Sequence, residues 1–168
     1  MAYQQSQTAP VGVPKNSEWG PLLWMLLHGG VEKMGASTIK SILDDQRREF
    51  LIILKSVEGI MPCALCRNHF REYRMRFPID KLPADPAEFK KSARKWLFDL
   101  HEAVNDRNQS PRVWTIDMLP EKYSSLDLME KSQELYLLFD KALRVRAIEG
   151  EIYKKFKTHY ALFLRYCR

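Results

Sequence analysis

A Cys-x-x-Cys motif, Cys63-Ala64-Leu65-Cys66, sets two of the chain's three cysteines one helical turn apart. It follows Pro62 and opens a run whose apolar residues recur at helical spacing through Phe70 and Phe77, so the motif is predicted to begin a helix. The unpaired N–H groups and the positive dipole end of a helix N-terminus stabilise a thiolate. Because thiolates attack disulfides and bind metals, the motif indicates either redox chemistry or a metal site.

Composition excludes several classes of protein. The chain has 168 residues, enough for one domain, or one domain with an appendage, around a sizeable core. Three cysteines cannot form the disulfide framework of a small secreted module. Residues 1–15 lack the pattern of a signal peptide. The most apolar stretch, residues 21–31, is much shorter than the roughly 18 residues of a membrane span. An intracellular, soluble protein without a membrane span is expected.

The net charge of +6 comes from basic residues that are spread along the predicted helices. Such a distribution is typical of solvated helix faces. It also suits an anionic cofactor or an acidic partner. No nucleic-acid-binding motif accompanies the charge, so nucleic acid is not expected as a partner.

Apolar spacing predicts an all-α chain after a flexible segment at residues 1–16. Ser17 is the predicted N-cap of the first helix, in which Gly29-Gly30 indicates close packing of the backbone. Asp85 is the predicted N-cap of the fourth helix, with Pro86 at its first position. The other predicted helices cover residues 37–59, the motif up to 77–78, and residues 124–148 and 150–167. Strand-like alternation is absent, which argues against a thioredoxin fold.

Three of the four histidines lie in apolar helical settings. His28 shares a stripe with Trp24, His69 follows the Cys-x-x-Cys motif, and His101 precedes Asn105 by one turn. One such histidine is usually a satisfied core residue. Three of them beside Trp and Asn favour a flat, polar-edged aromatic ligand held between helices.

Four segments together resemble the Erv/ALR family of flavin-linked sulfhydryl oxidases. In chain order they are Trp24-x-x-x-His28, Pro62-Cys63-x-x-Cys66-x-x-His69-Phe70, Trp96-Leu97 and His101-x-x-Val104-Asn105. The resemblance covers about residues 19–111 and includes order and spacing as well as residue identity. The Cys-x-x-Cys-x-x-His-Phe segment is most similar to the oxidases of large cytoplasmic DNA viruses.

The resemblance implies a four-helix bundle that binds FAD, usually as a homodimer, here over residues 17–118 with a helical extension at residues 119–168. It implies a thiol oxidase that takes electrons from a reduced protein dithiol or a thioredoxin-like substrate and reduces O2 to H2O2. A viral member would act in the host cytoplasm or the virion. Cys63 would be the sulfur that substrate attacks and Cys66 the flavin-proximal sulfur. The implied FAD-binding residues are Gly20, Trp24, His28, His69, His101, Val104, Asn105 and Asn108, and no metal is implied.

The sequence also departs from the family pattern. Ser110 stands where the family commonly has a phosphate-contacting Lys, so Arg107 or another basic residue is the expected substitute. Phe98 stands where cellular members begin a structural disulfide, so that bridge cannot form. Cys167 shares an apolar stripe of the last helix and is expected to be a small buried residue rather than a shuttle thiol.

Residues 112–168 lie largely outside the resemblance. Their apolar stripes either extend the bundle of the same subunit or form a dimer or partner surface. Two alternative functions stay open at this point. One is a zinc-binding interaction module that uses Cys63, Cys66 and His69 with His101 or Cys167. The other is a helical binding module in which the Cys-x-x-Cys motif is incidental.

Overall fold

The computed structural model describes residues 10–168, and the flexible segment predicted at residues 1–16 therefore lies largely outside the described residues. Seven α-helices and two short 3-10 turns make up the described part, which contains no strand. The all-α prediction is confirmed. The helices are α1 (Asn16–Lys33), α2 (Lys40–Ile60), α3 (Ala64–Arg76), α4 (Pro86–Arg107), α5 (Leu119–Tyr123), α6 (Leu128–Arg144) and α7 (Gly150–Tyr166).

Local capping explains where two of these helices begin. The Asp85 carboxylate accepts the backbone N–H of Glu88 at 3.0 Å, and Pro86 opens α4 as predicted. The predicted N-cap of α1 is wrong by two residues, because the N-cap is Lys15 rather than Ser17. The Glu18 carboxylate accepts the Lys15 backbone N–H at 2.7 Å and so fixes the earlier start.

A single hydrophobic core joins the first helices to the last ones. Helix α1 packs against α4, α5 and α6, and α2 packs against α7 along its length. Phe50 of α2 contacts both Phe89 of α4 and Phe163 of α7. The predicted stripe of α6 is buried throughout, at Leu128, Leu135, Phe139 and Ala142. The C-terminal helices therefore extend the bundle of the same chain, the first of the two alternatives.

Two adjacent glycines of α1 allow close contacts with neighbouring helices. A Cβ on Gly29 would lie 2.5 Å from Leu128 Cδ2, and one on Gly30 would lie 2.8 Å from the Phe50 ring. Close packing at Gly29-Gly30 is thus confirmed. Across residues 10–168, none of the helices combines the length and the apolar character that crossing a membrane requires.

Docking of α7 on α2 should be sensitive to one methyl group at Gly59. A Cβ there would lie 2.6 Å from Ile152 Cδ1 and 2.7 Å from Ile152 Cγ2. Gly59→Ala should lower the free energy of unfolding by about 1–3 kcal/mol, because overpacking forces the helices apart. Urea denaturation measures the loss.

Gly20→Ala is the matched control, because a Cβ at Gly20 meets nothing within 4 Å. It should leave the stability unchanged or raise it by about 0.5–1 kcal/mol, since Ala is the better helix former. Equal stabilities of the two variants would contradict the docking of α7 described here.

Candidate functional site

Cys63 and Cys66 form a disulfide at the start of α3, with their Cα atoms 5.2 Å apart. Both residues are partly exposed at the edge of the hydrophobic core. Cys63 is the N-cap of α3, and its sulfur accepts the backbone N–H of Cys66 at 3.1 Å. The Cys-x-x-Cys motif therefore lies at a helix N-terminus, as predicted, and both of its cysteines are partly exposed.

The side chain of Asn16 lies against the disulfide. Its Nδ2 is 3.5 Å from Cys63 Sγ and 3.4 Å from Cys66 Sγ. Sequence reasoning missed this residue, because Asn16 belongs to no motif and is far from both cysteines in the chain. The contact brings the N-terminus of α1 to the N-terminus of α3.

The disulfide is incompatible with zinc coordination by the same two sulfurs. Zinc coordination by Cys63 and Cys66 requires two thiolates, whereas their sulfurs are bonded to each other. Within residues 10–168, no group of three or more His, Cys, Asp or Glu side chains is arranged to hold a metal ion. The geometry gives the zinc hypothesis no support.

Cys167, the third cysteine, is free and partly buried at the end of α7. Burial raises the pKa of its thiol to about 12. At neutral pH this thiol stays protonated, and a protonated thiol is a poor nucleophile. The environment suits the predicted structural role, although Cys167 is less buried than predicted.

Three of the predicted ligand-binding residues converge in one aromatic stack. The rings of Trp24 and His101 are stacked with centroids 4.0 Å apart and an interplanar angle of 9°. His28 Nε2 is hydrogen-bonded to His101 Nδ1 at 3.1 Å. The ring of Tyr123 in α5 also stacks on His28, with centroids 4.8 Å apart. Helices α1, α4 and α5 thus meet at this stack.

Burial keeps both histidines of the stack neutral. It lowers the pKa of His28 to about 3, with further contributions from His101 and from the charge of Lys122. Burial and Lys122 also lower the pKa of His101 to about 4. At pH 7 each ring therefore carries one N–H donor and one acceptor nitrogen. Such a pair can bind the neutral polar edge of an aromatic ligand.

A cavity of about 190 Å³ adjoins the stack between α4 and residues 111–123. His101 and Asn105 line it from α4, and Lys122 lines it from α5. The Lys122 ammonium lies 4.0 Å from the Trp114 ring centroid, and burial lowers its pKa. No carboxylate of the described residues forms an ion pair with it. The cavity therefore has a cation available for an anionic ligand.

A second cavity, of about 390 Å³, lies between α3 and α4. His69 and Val104, both predicted to bind the cofactor, line this cavity together with Tyr73 and Arg107. Burial and the neighbouring Arg107 lower the pKa of His69. The predicted cofactor residues of α3 and α4 are thus divided between two cavities that flank α4.

Two predicted residues lie outside these groups. Gly20 is one turn before Trp24 on α1 and borders open space. Asn108 is exposed at the C-cap of α4, lines neither cavity, and donates its backbone N–H to the Val104 carbonyl at 3.0 Å. Cofactor binding by each of the eight predicted residues stays a prediction.

Comparison with known proteins gives two matches. Residues 21–124 match the sequence profile of the Erv1 / Alr family. The chain is also similar to the FAD-linked sulfhydryl oxidase ERV1 of Oryza sativa subsp. japonica, with 26% identity over 132 residues. That alignment covers 79% of this chain and 61% of the plant protein, so the chain spans about three fifths of that relative. No solved structure matches.

Neutral burial of His28 predicts how stability depends on pH. The ordinary pKa of 6.5 applies to the unfolded chain, whereas the folded value is about 3. Between these values the unfolded chain binds a proton that the folded chain does not. The free energy of unfolding should therefore fall as the pH drops below 6.5, by up to about 1.4 kcal/mol per pH unit.

The His28→Gln variant keeps a neutral hydrogen-bonding group and should lose this part of the pH dependence. Urea denaturation at pH values from neutral to mildly acidic compares the two slopes, with carboxylates contributing equally to both proteins. Parallel slopes would show that His28 is protonated in the folded state.

Proposed function

The chain belongs to the Erv1/Alr family, and from this premise we propose that it is an FAD-dependent thiol oxidase. It forms disulfides in protein dithiols through Cys63 and Cys66 and reduces O2 to H2O2. The observation that carries the proposal is the Cys63–Cys66 disulfide, which is partly exposed at the N-terminus of α3. The helical family resemblance and the similarity to a protein named as FAD-linked support it.

Thiol–disulfide exchange is the chemistry of the chain's own residues. A substrate thiolate attacks Cys63 Sγ, forms a mixed disulfide with it and releases Cys66 as the thiolate. A second substrate thiol then attacks the substrate sulfur of the mixed disulfide and releases Cys63. The substrate leaves with a disulfide, and the enzyme keeps Cys63 and Cys66 as a dithiol.

The residues around the stack and the cavities fit FAD. Trp24 and the neutral pair of His28 and His101 offer flat surfaces and hydrogen-bonding nitrogens for an isoalloxazine or adenine ring. Open space beside Gly20 leaves room along α1. When bound, FAD supplies the two-electron acceptor that links the dithiol to O2.

Two basic residues are candidates for the phosphate contact that the family's Lys makes at the position of Ser110. Lys122 lines the smaller cavity, and Arg107 lines the larger one. Lys122 is the better placed of the two, because Arg107 already lies 3.4 Å from the Glu72 carboxylate. We assign Lys122 to the FAD phosphates.

The substrate and assembly follow from the resemblance. A reduced protein dithiol or a thioredoxin-like protein suits a disulfide whose two cysteines are partly exposed. Membership of the viral branch, with action in the host cytoplasm or the virion, rests on the Cys-x-x-Cys-x-x-His-Phe segment. A homodimer would use faces other than the apolar stripes of α6 and α7, which are buried within the chain.

Serine substitution of either motif cysteine tests the proposed reaction. Cys63→Ser and Cys66→Ser should each reduce dithiothreitol-dependent O2 consumption to the rate without protein, while visible flavin absorbance remains. Both sulfurs are needed, because the electron pair of the substrate is accepted by the Cys63–Cys66 disulfide, and a single cysteine cannot form that disulfide. An oxygen electrode and a peroxide assay measure the rates.

Cys167→Ala is the control and should keep nearly the full rate, since its thiol is partly buried with a pKa of about 12. Activity in the Cys63→Ser variant would move the reaction to other residues. A colourless wild-type protein with one bound zinc would overturn the proposed function in favour of the interaction module.

Replacing a ring of the stack tests the flavin site. Trp24→Ala and His101→Ala should each weaken FAD binding roughly tenfold or more, since each loses a stacking surface worth about 0.5–1.5 kcal/mol and leaves polar groups unpaired. The melting point should rise less with added FAD than in the wild type, because stabilisation follows the affinity.

His159→Ala provides a matched control on another pair of helices. His159 of α7 is paired with the buried Glu49 of α2, 2.5 Å away. Its loss should destabilise the fold and leave the FAD affinity unchanged. Unchanged affinity in Trp24→Ala and His101→Ala as well would place the flavin elsewhere.

A further inference from the structure

We propose that Asn16 is a third catalytic residue of the disulfide site. Its side-chain amide stabilises the sulfur that leaves as a thiolate when the disulfide opens, and so it raises the redox potential of the pair and favours release of Cys66. The inference rests on the proposed function only in that the Cys63–Cys66 disulfide is reduced and reoxidised during the reaction.

The geometry places one donor against both sulfurs. Asn16 Nδ2 lies within hydrogen-bond distance of Cys63 Sγ, at 3.5 Å, and of Cys66 Sγ, at 3.4 Å. The residue is the first of α1, and it is 47 and 50 positions away from the two cysteines. Neither contact is therefore a consequence of the local backbone of α3.

The two sulfurs differ in their other donors. Cys63 Sγ also accepts the backbone N–H of Cys66, at 3.1 Å. For Cys66 Sγ, the Asn16 amide is the sole hydrogen-bond donor found among residues 10–168. Loss of the Asn16 amide would therefore remove a larger share of the hydrogen bonding of Cys66 Sγ than of Cys63 Sγ.

The charged groups on neighbouring turns have other partners. The Arg67 guanidinium donates to the carbonyl oxygens of Met61, at 2.6 Å, and Ala147, at 3.3 Å. The Glu18 carboxylate accepts the Lys15 N–H, and the Lys15 side chain is exposed. His69 lines the larger cavity, near Arg107 and Glu72. Among residues 10–168, the neutral amide of Asn16 is thus the side-chain donor that contacts the disulfide.

The exchange step shows where this donor acts. The substrate sulfur bonds to Cys63 Sγ, the Cys63–Cys66 bond breaks, and its electron pair stays on Cys66 Sγ as a thiolate. A hydrogen bond to an ionised acceptor is roughly twice as strong as one to a neutral acceptor. Asn16 therefore stabilises the opened form more than the disulfide, and it stabilises opening at Cys63 more than opening at Cys66.

The redox potential of the Cys63–Cys66 pair tests whether Asn16 stabilises the opened form more than the disulfide. The full chain is equilibrated anaerobically with dithiothreitol buffers, and the reduced fraction is counted by thiol alkylation and mass spectrometry. Asn16→Ala should shift the equilibrium about tenfold towards the disulfide, which is about 30 mV for a two-electron couple. Asn16→Asp should shift it at least as far, because a carboxylate repels the thiolate.

Ser17→Ala is the matched control, since Ser17 is the exposed neighbour on the same turn of α1. It should leave the potential unchanged. A wild-type potential in Asn16→Ala would overturn the proposal. A wild-type protein without oxidase activity would instead overturn the proposed function, and the potential shift would still be measurable.

The preference for Cys66 is tested in single-cysteine backgrounds. In Cys63→Ser, adding Asn16→Ala should raise the pKa of the Cys66 thiol by roughly one unit, corresponding to the tenfold shift. In Cys66→Ser the same change should have a smaller effect on Cys63, because the backbone N–H of residue 66 still donates to it. The pKa of Cys167, about 12, keeps that thiol outside the titration. Equal shifts for both cysteines would contradict the preference for releasing Cys66.

Discussion

The contact of α1 with α4 at the stack of Trp24, His28 and His101 is the interaction on which the rest of the site depends. Only 2% of the His28 surface is exposed, so its ring must find a partner inside the protein. The bond between His28 Nε2 and His101 Nδ1 supplies one. An unpaired polar group at this depth would cost about 1–3 kcal/mol. The pair therefore holds the two helices in one register.

Helix α1 also connects this stack to the redox site. Asn16 at its N-terminus contacts the disulfide, and Trp24 and His28 follow two and three turns later on the same slanting row. Gly20 lies between Asn16 and Trp24 on α1 and borders open space. A shift of α1 would therefore disturb the disulfide and the aromatic stack together.

The C-terminal helices keep α1 in place from the opposite side. Leu128 of α6 packs at Gly29, and the Tyr160 hydroxyl of α7 donates to the Leu26 carbonyl at 2.9 Å. Helix α7 also contacts α2 through the pair of the buried Glu49 and the partly exposed His159. Residues 119–168 are thus part of the core that positions the site, although they lie largely beyond the motifs that identify the family.

Sequence reasoning found the parts of the site that carry local signals. Asp85 followed by Pro86 marked the start of α4, and the apolar spacing after Cys66 marked α3. The histidines of the stack stood out because they interrupt apolar faces. Asn16 and Tyr123 could not be found in this way.

Their roles come from contacts with distant parts of the chain. Asn16 reaches its sulfurs across 47 and 50 residues. Tyr123 belongs to α5, whose five residues are too few to show a helical period. The predicted cofactor residues line two cavities, with His69 and Val104 in one and His101 and Asn105 in the other. This separation depends on how α4 is rotated against its neighbours, which residue spacing alone does not specify.

In the proposed function, one helical bundle passes electrons from a dithiol through Cys63–Cys66 to FAD. Anaerobic addition of dithiothreitol to the purified chain, followed by admission of air, tests it most directly in a spectrophotometer. We expect the visible flavin absorbance to bleach without O2 and to return when O2 is admitted. A protein without flavin absorbance, or a bound flavin that stays oxidised while the disulfide is reduced, would rule out this path of electrons.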